Sequence, residues 1–253
     1  MFETSSVSMT YPRPATRFKS LLTVAFGTFI FLGVVGLISK GLRVLMQTRI
    51  PATLRDRAAL TISGSALGEL AVLILLLAYL KSRGKTLRSL GFGQSSPLRG
   101  WIISAMVTGL YVWLTLGAVL RGQAQLTEAS AFHAYTSLVA SLSAGIVEEI
   151  FFRGFVMSEL NWSGFSTTVQ VLASGFLFGF AHVGWGLFGG KAQLGAALGA
   201  MITTGILGVL YALTYVASRR SLMPSIAGHV LMDLLIEPWL VLTALAGVSS
   251  QSR

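Results

Sequence analysis

The sequence predicts an all-α polytopic membrane protein: one bundle of about seven transmembrane helices, six to eight by segment length, around a buried polar site. Three observations predict it. Only 11% of the 253 residues are charged, whereas a soluble domain carries roughly 25%. The hydrophobic share is 53% and the mean hydropathy is +0.73. Seven stretches, roughly 21–38, 60–80, 101–120, 136–157, 168–188, 194–217 and 223–246, approach the about 20 apolar residues that a helix needs to cross a bilayer.

The first stretch follows Arg13, Arg17 and Lys19. A signal peptide has the same basic start. This run is long for its apolar core, however, and no clear small-x-small cleavage site follows, so it reads as a retained first span. Residues 1–20 then form a basic cytoplasmic tail. Residues 21–135 hold the N-terminal spans, and within them the basic, semi-apolar segment 40–57 is expected to lie on the membrane surface as an amphipathic piece. Residues 136–246 carry all but one of the acidic residues and histidines that fall inside the apolar stretches. The basic loop of Lys81, Arg83, Lys85 and Arg88, with Arg219 and Arg220, places the N-terminus on the cytoplasmic side of a cell membrane, although the 40–57 segment runs against that rule.

The net charge is +10. The Lys and Arg residues sit between apolar stretches, where they meet lipid headgroups, and no segment has a base-reading module. Membrane lipid is therefore an expected partner and nucleic acid is not. With no cysteine, a thiolate metal site, a disulfide framework and a Cys nucleophile are excluded. Gly175 with Gly179, and Gly195 with Gly199, have the GxxxG spacing that lets helices approach closely in lipid.

Five of the nine acidic residues, Glu69, Glu148, Glu149, Asp233 and Glu237, fall inside the apolar stretches, as do two of three histidines, His182 and His229. Each costs several kcal/mol at the centre of a bilayer, so such residues face the bundle interior and work or pair there. His133 lies near a span edge and reads as interfacial. Glu149 and Arg153 are spaced i, i+4 in the favourable order and should pair. Glu148 is turned about 100° away and is left to face a polar cavity; a single structural cluster of all three is the plainer reading. Phe178 stands one turn before His182 and can wall that cavity. His229, Asp233 and Glu237, four residues apart, make one polar stripe.

These motifs, Glu148-Glu149…Arg153, Phe178…His182 and His229…Asp233, resemble the EExxxR, FxxxH and HxxxN/D signatures of the CPBP family, the CAAX proteases and bacteriocin-processing enzymes. The resemblance covers about residues 136–240. It implies an intramembrane endopeptidase that cleaves a membrane-tethered protein or peptide, in CAAX-type processing or bacteriocin immunity. Glu148, His182, His229 and Asp233 would be catalytic, supported by Glu149, Arg153 and Phe178. Many members carry Asn where this chain has Asp233. An ionised Asp cannot donate to an oxyanion, so Asp233 is either protonated, orients His229 or helps hold a metal.

Two chemistries fit this set. In one, Glu148 is the general base and the histidines position water and steady the oxyanion. In the other, His182, His229 and Glu148 hold a divalent ion such as zinc, which activates the water. The other function open to the same buried residues is a proton- or ion-coupled transporter; Glu69, with no place in the hydrolytic site, favours it. Simple span placement also puts His182 and His229 roughly 10 Å apart in depth, which a hydrolytic site has to overcome.

Overall fold

The fold comes from a computed structural model and is described for residues 14–46, 54–123, 130–183 and 194–250. Among the described residues it is helix and turn throughout, with no strand. Helix α1 spans Pro14–Met46, α2 Leu54–Ser82 and α3 Leu98–Gln123. Helix α4 runs as α-helix over Ser130–Glu148, widens into a π-helical segment Glu149–Val156, and finishes as α-helix Met157–Trp162. Helix α5 spans Thr167–Ala181, α6 Leu194–Ala217 and α7 Met223–Ser250.

Four helices contain a stretch long and apolar enough to cross a membrane: Thr16–Met46, Ala59–Ser82, Leu98–Gly117 and Ala197–Ala217. The other three are those that carry the ionisable motifs. Helix α5 is also short: 15 residues, about 22 Å. The segment 40–57 is described only in part. Lys40–Met46 continue α1 and Leu54 onwards begin α2, with 47–53 outside the described residues. No proline or glycine cluster stops α1 at the end of its apolar run, so its last turns keep the helix while Lys40 and Arg43 reach outward.

Helix α4 is the centre of the bundle. All eight residues of its π segment are buried, so apolar side chains surround it on every side. Phe151 packs on Phe31 of α1, ring centroids 5.0 Å apart, and Phe152 meets Phe178 of α5 at 5.2 Å. Around it α1 pairs with α2, α5 with α6, and α3 and α4 with α7.

Small residues set two of these approaches. Gly175 and Gly179 of α5 lie against Gly205 and Gly208 of α6, where a Cβ on Gly208 would sit 2.9 Å from the Gly175 Cα. On α2, a Cβ on Gly68 would sit 2.6 Å from the Val35 Cα. Gly195 and Gly199 differ: a Cβ there meets nothing within 4 Å, so that pair packs no described helix.

The α6–α7 turn folds back into the bundle. Arg219 and Arg220 adopt φ values of 55° and 63°, and Leu222 N–H donates to the Gly91 carbonyl at 3.1 Å. Gly91 has φ 96°, and a Cβ there would collide with the Arg220 carbonyl, so only glycine fits. The fully buried Leu90 and Leu222 meet at Gly154 of α4, where a Cβ would lie 3.2 and 3.3 Å from their side chains. Helix α7 thus starts well inside the bundle, level with the π segment.

Gly175→Ile forces α5 and α6 apart and should cost at least about 1–3 kcal/mol, read as a lower thermal unfolding midpoint in detergent. Gly199→Ala should leave it within about 0.5 kcal/mol. Equal effects would contradict the packing described.

Candidate active site

The recessed start of α7 removes the difference in depth between the two histidines. His229 lies seven residues beyond Leu222, and Glu148 six residues before Gly154. With Leu222 against Gly154, both rise about 10 Å from one level. His182 caps the end of α5 and reaches the same place.

There His182 Nε2 stands 3.9 Å from Glu148 Oε1, and His229 Nε2 stands 3.9 Å from Glu148 Oε2. Asp233 Oδ1 lies 3.7 Å from the same His229 nitrogen. These gaps are too long for direct hydrogen bonds and short enough for one water to bridge. Glu148, His229 and Asp233 are buried, and His182 is half-buried. Glu237, one turn beyond Asp233, is also partly buried.

Each imidazole has its tautomer fixed from behind. His182 Nδ1 is 2.8 Å from the Phe178 carbonyl, which can only accept, so Nδ1–H donates. His229 Nδ1 is 2.9 Å from Glu149 Oε1. That oxygen is also 2.8 Å from Arg153 Nη1, so Glu149 is held as an accepting carboxylate and His229 Nδ1–H donates to it. Both rings therefore turn Nε2 towards Glu148. Arg153 is fully buried, donates through Nη2 to the Gly208 carbonyl at 3.2 Å, and lies over the Phe178 ring at 4.3 Å.

Sequence reasoning missed Tyr211. Its ring stacks on His229 with centroids 5.5 Å apart and planes 17° off parallel, and its hydroxyl bonds Thr108 of α3 at 3.0 Å. Thr108 also donates to the Gly228 carbonyl at 3.1 Å, tying α3, α6 and α7 behind the ring. A phenol in mid-span was the available signal. Glu69 also stands differently from the sequence reading. It is buried on α2 and close enough to Glu148 and Glu237 to interact with them electrostatically. His133 lies within α4, but its side chain is outside the described residues.

Two imidazoles and a carboxylate are the donor chemistry of a zinc site, and Nδ1–H bonds to oxygen are the usual outer support. As placed they do not fit one: among the described residues no three His, Asp or Glu side chains close around an ion.

Helices that bury a carboxylate between two tautomer-fixed imidazoles define the class: a polytopic helical membrane protein with a buried His–Glu site. Residues 129–235 match the family described as Rce1-like, type II CAAX prenyl endopeptidase. That segment contains all three motifs, and over it the chain is similar to the CAAX-type intramembrane endopeptidases. No curated protein and no solved structure matches the chain. Nothing found supports the transporter reading.

Glu149→Gln leaves Arg153 as an uncompensated buried charge and should cost about 3–5 kcal/mol. Arg153→Met should do the same to Glu149. The double variant, which removes both charges, should lose less than the sum of the singles. Thermal midpoints in detergent measure the cycle, and strict additivity would contradict the pairing.

Proposed function

We propose that the protein hydrolyses a peptide bond of a membrane-tethered protein or peptide, with Glu148 as general base. The observation that carries this reading is the placement of two imidazole Nε2 atoms 3.9 Å from opposite oxygens of one buried carboxylate.

A water between Glu148 and His182 gives one hydrogen to the carboxylate and the other to the Nε2 lone pair. Its own lone pair is then directed at the substrate carbonyl. Glu148 takes the proton as the C–O bond forms. It returns that proton to the amide nitrogen as the C–N bond breaks, the two-stage duty of one positioned acid–base group.

His182 has only a backbone carbonyl behind it, which suits a neutral acceptor. His229 has Glu149 behind and Asp233 beside it. In its doubly protonated form it donates from Nε2 to the oxyanion while the Glu149 carboxylate behind it balances its charge. Asp233, 3.7 Å from the same nitrogen, orients the ring where many family members have Asn. Glu149, Arg153, Phe178 and Tyr211 hold the rings in place.

The basic residues Arg17, Lys19, Lys81, Arg83, Arg88 and Arg220 gather at one end of the bundle. They support a cell-membrane protein with that end, and the N-terminus, on the cytoplasmic side. The substrate is a prenylated or otherwise lipid-tethered polypeptide that reaches the pocket from the bilayer.

In mixed micelles with a prenylated CAAX peptide, Glu148→Gln should lower turnover at least about 100-fold while the unfolding midpoint holds. A Glu148→Gln variant that still cleaves would sink the reading. Preincubation with a strong zinc chelator should leave wild-type turnover unchanged, and loss restored by added zinc would contradict the water-only mechanism.

A further inference from the structure

A second pocket lies at the basic end of the bundle, between the first turns of α1, the loop after α2 and the last turn of α4. Its volume is about 400 Å³, within the range of small-molecule sites. Lys19, Arg83 and Lys85 line it from two segments far apart in sequence. Among the described residues none of the three has a carboxylate within 4 Å.

The arrangement is held from several sides. Lys85 Nζ sits 2.7 Å above the centre of the Trp162 ring, an attraction between cation and indole face. Desolvation there holds the Lys85 ammonium below its ordinary range; Glu159 opposes the shift and Arg83 adds to it. Arg83 donates to the Tyr79 hydroxyl at 3.5 Å, and that hydroxyl donates to Glu159 Oε1 at 3.1 Å. The one carboxylate in the wall is thus drawn to the Tyr79 side. Opposite it, the buried hydroxyls of Ser20 and Ser163 bond each other, and Thr16 and Thr23 add two more at the rim. Beside the pocket, Arg17 donates to the Gly164 carbonyl at 2.8 Å and ties α1 to the end of α4.

We propose that this pocket binds a phosphate-bearing headgroup, with the phosphate between Lys19, Arg83 and Lys85. Three cations against one carboxylate leave the pocket positive. Clustered Lys and Arg with hydroxyl donors are the chemistry that holds phosphate oxygens. The position at a bundle end, beside the exposed Phe18, Leu21 and Leu22 of α1, suits an anionic phospholipid: its chains lie along α1 and its headgroup turns inward. Glu159 and the serine hydroxyls face the rest of the headgroup and select one with further hydroxyl or ammonium donors. A bound headgroup would clamp α1 and the α2–α3 loop onto the end of α4, the helix that carries Glu148. The site is independent of the peptidase chemistry.

The full-length protein, purified in micelles of a non-ionic maltoside detergent, is titrated with phosphatidylglycerol and, separately, with inorganic phosphate, following thermal unfolding and counting retained lipid by native mass spectrometry. Phosphatidylglycerol should raise the midpoint and remain bound at about one per chain, and Lys19→Gln/Arg83→Gln/Lys85→Gln should weaken that response at least tenfold. Lys85→Gln alone, one charge at a half-buried position, should weaken it severalfold and serves if the triple variant does not fold. Lys40→Gln/Arg43→Gln, at the opposite end of α1, should respond like the wild type. An equal response to inorganic phosphate, lost in the same variants, would keep the site and assign it to a soluble anion. No response to either, or a response unchanged in the Lys85 variant, would overturn the proposal.

Discussion

Glu149 and Arg153 are both buried to 0% exposure and meet at 2.8 Å in the middle of the bundle. A charge in such a place is tolerated only when another charge answers it, and this pair does more than answer itself. The Glu149 oxygen bonded to Arg153 also receives His229 Nδ1–H. Arg153 reaches the Gly208 carbonyl of α6 and covers Phe178, whose own carbonyl fixes His182. One ion pair therefore fixes the tautomer of one site imidazole directly and braces the helix turn that fixes the other. Glu148, next in sequence, is left facing both Nε2 atoms.

The π segment is the local device that makes room for this. It starts at Glu149 and ends at Val156, so the ion pair lies wholly inside it while Glu148 closes the regular helix before it. Such wide turns recur at functional sites. Here the widened turn lets eight consecutive buried residues, among them a glutamate and an arginine, find separate neighbours on α1, α5, α6 and α7.

Much of this was legible in the residues. Glutamate, arginine and histidine in mid-span have few reasons to be there, and the i, i+4 spacing of Glu149 and Arg153 already separated that pair from Glu148. The relative depth of the helices was not legible. It depends on Leu222 docking at Gly154 and on Gly91 accepting the Arg220 carbonyl against it, contacts between residues more than sixty positions apart that leave no periodic trace. The role of Tyr211 was hidden for the same reason, because a stacking partner is defined by the facing helix. Gly175 and Gly195 head the same short pattern, yet among the described residues only the first meets another helix; spacing alone does not say which face is covered.

The central claim is that both site histidines carry their proton on Nδ1 and present Nε2 to Glu148. Nitrogen-15 NMR of the histidine-labelled protein tests it most directly, with His133→Gln to clear the spectrum. The account predicts Nδ1–H on His182 and His229 throughout the accessible pH range, with Glu149→Gln releasing His229 and leaving His182 unchanged. A resting state with the proton on Nε2 and a bare Nδ1 at either ring would contradict it.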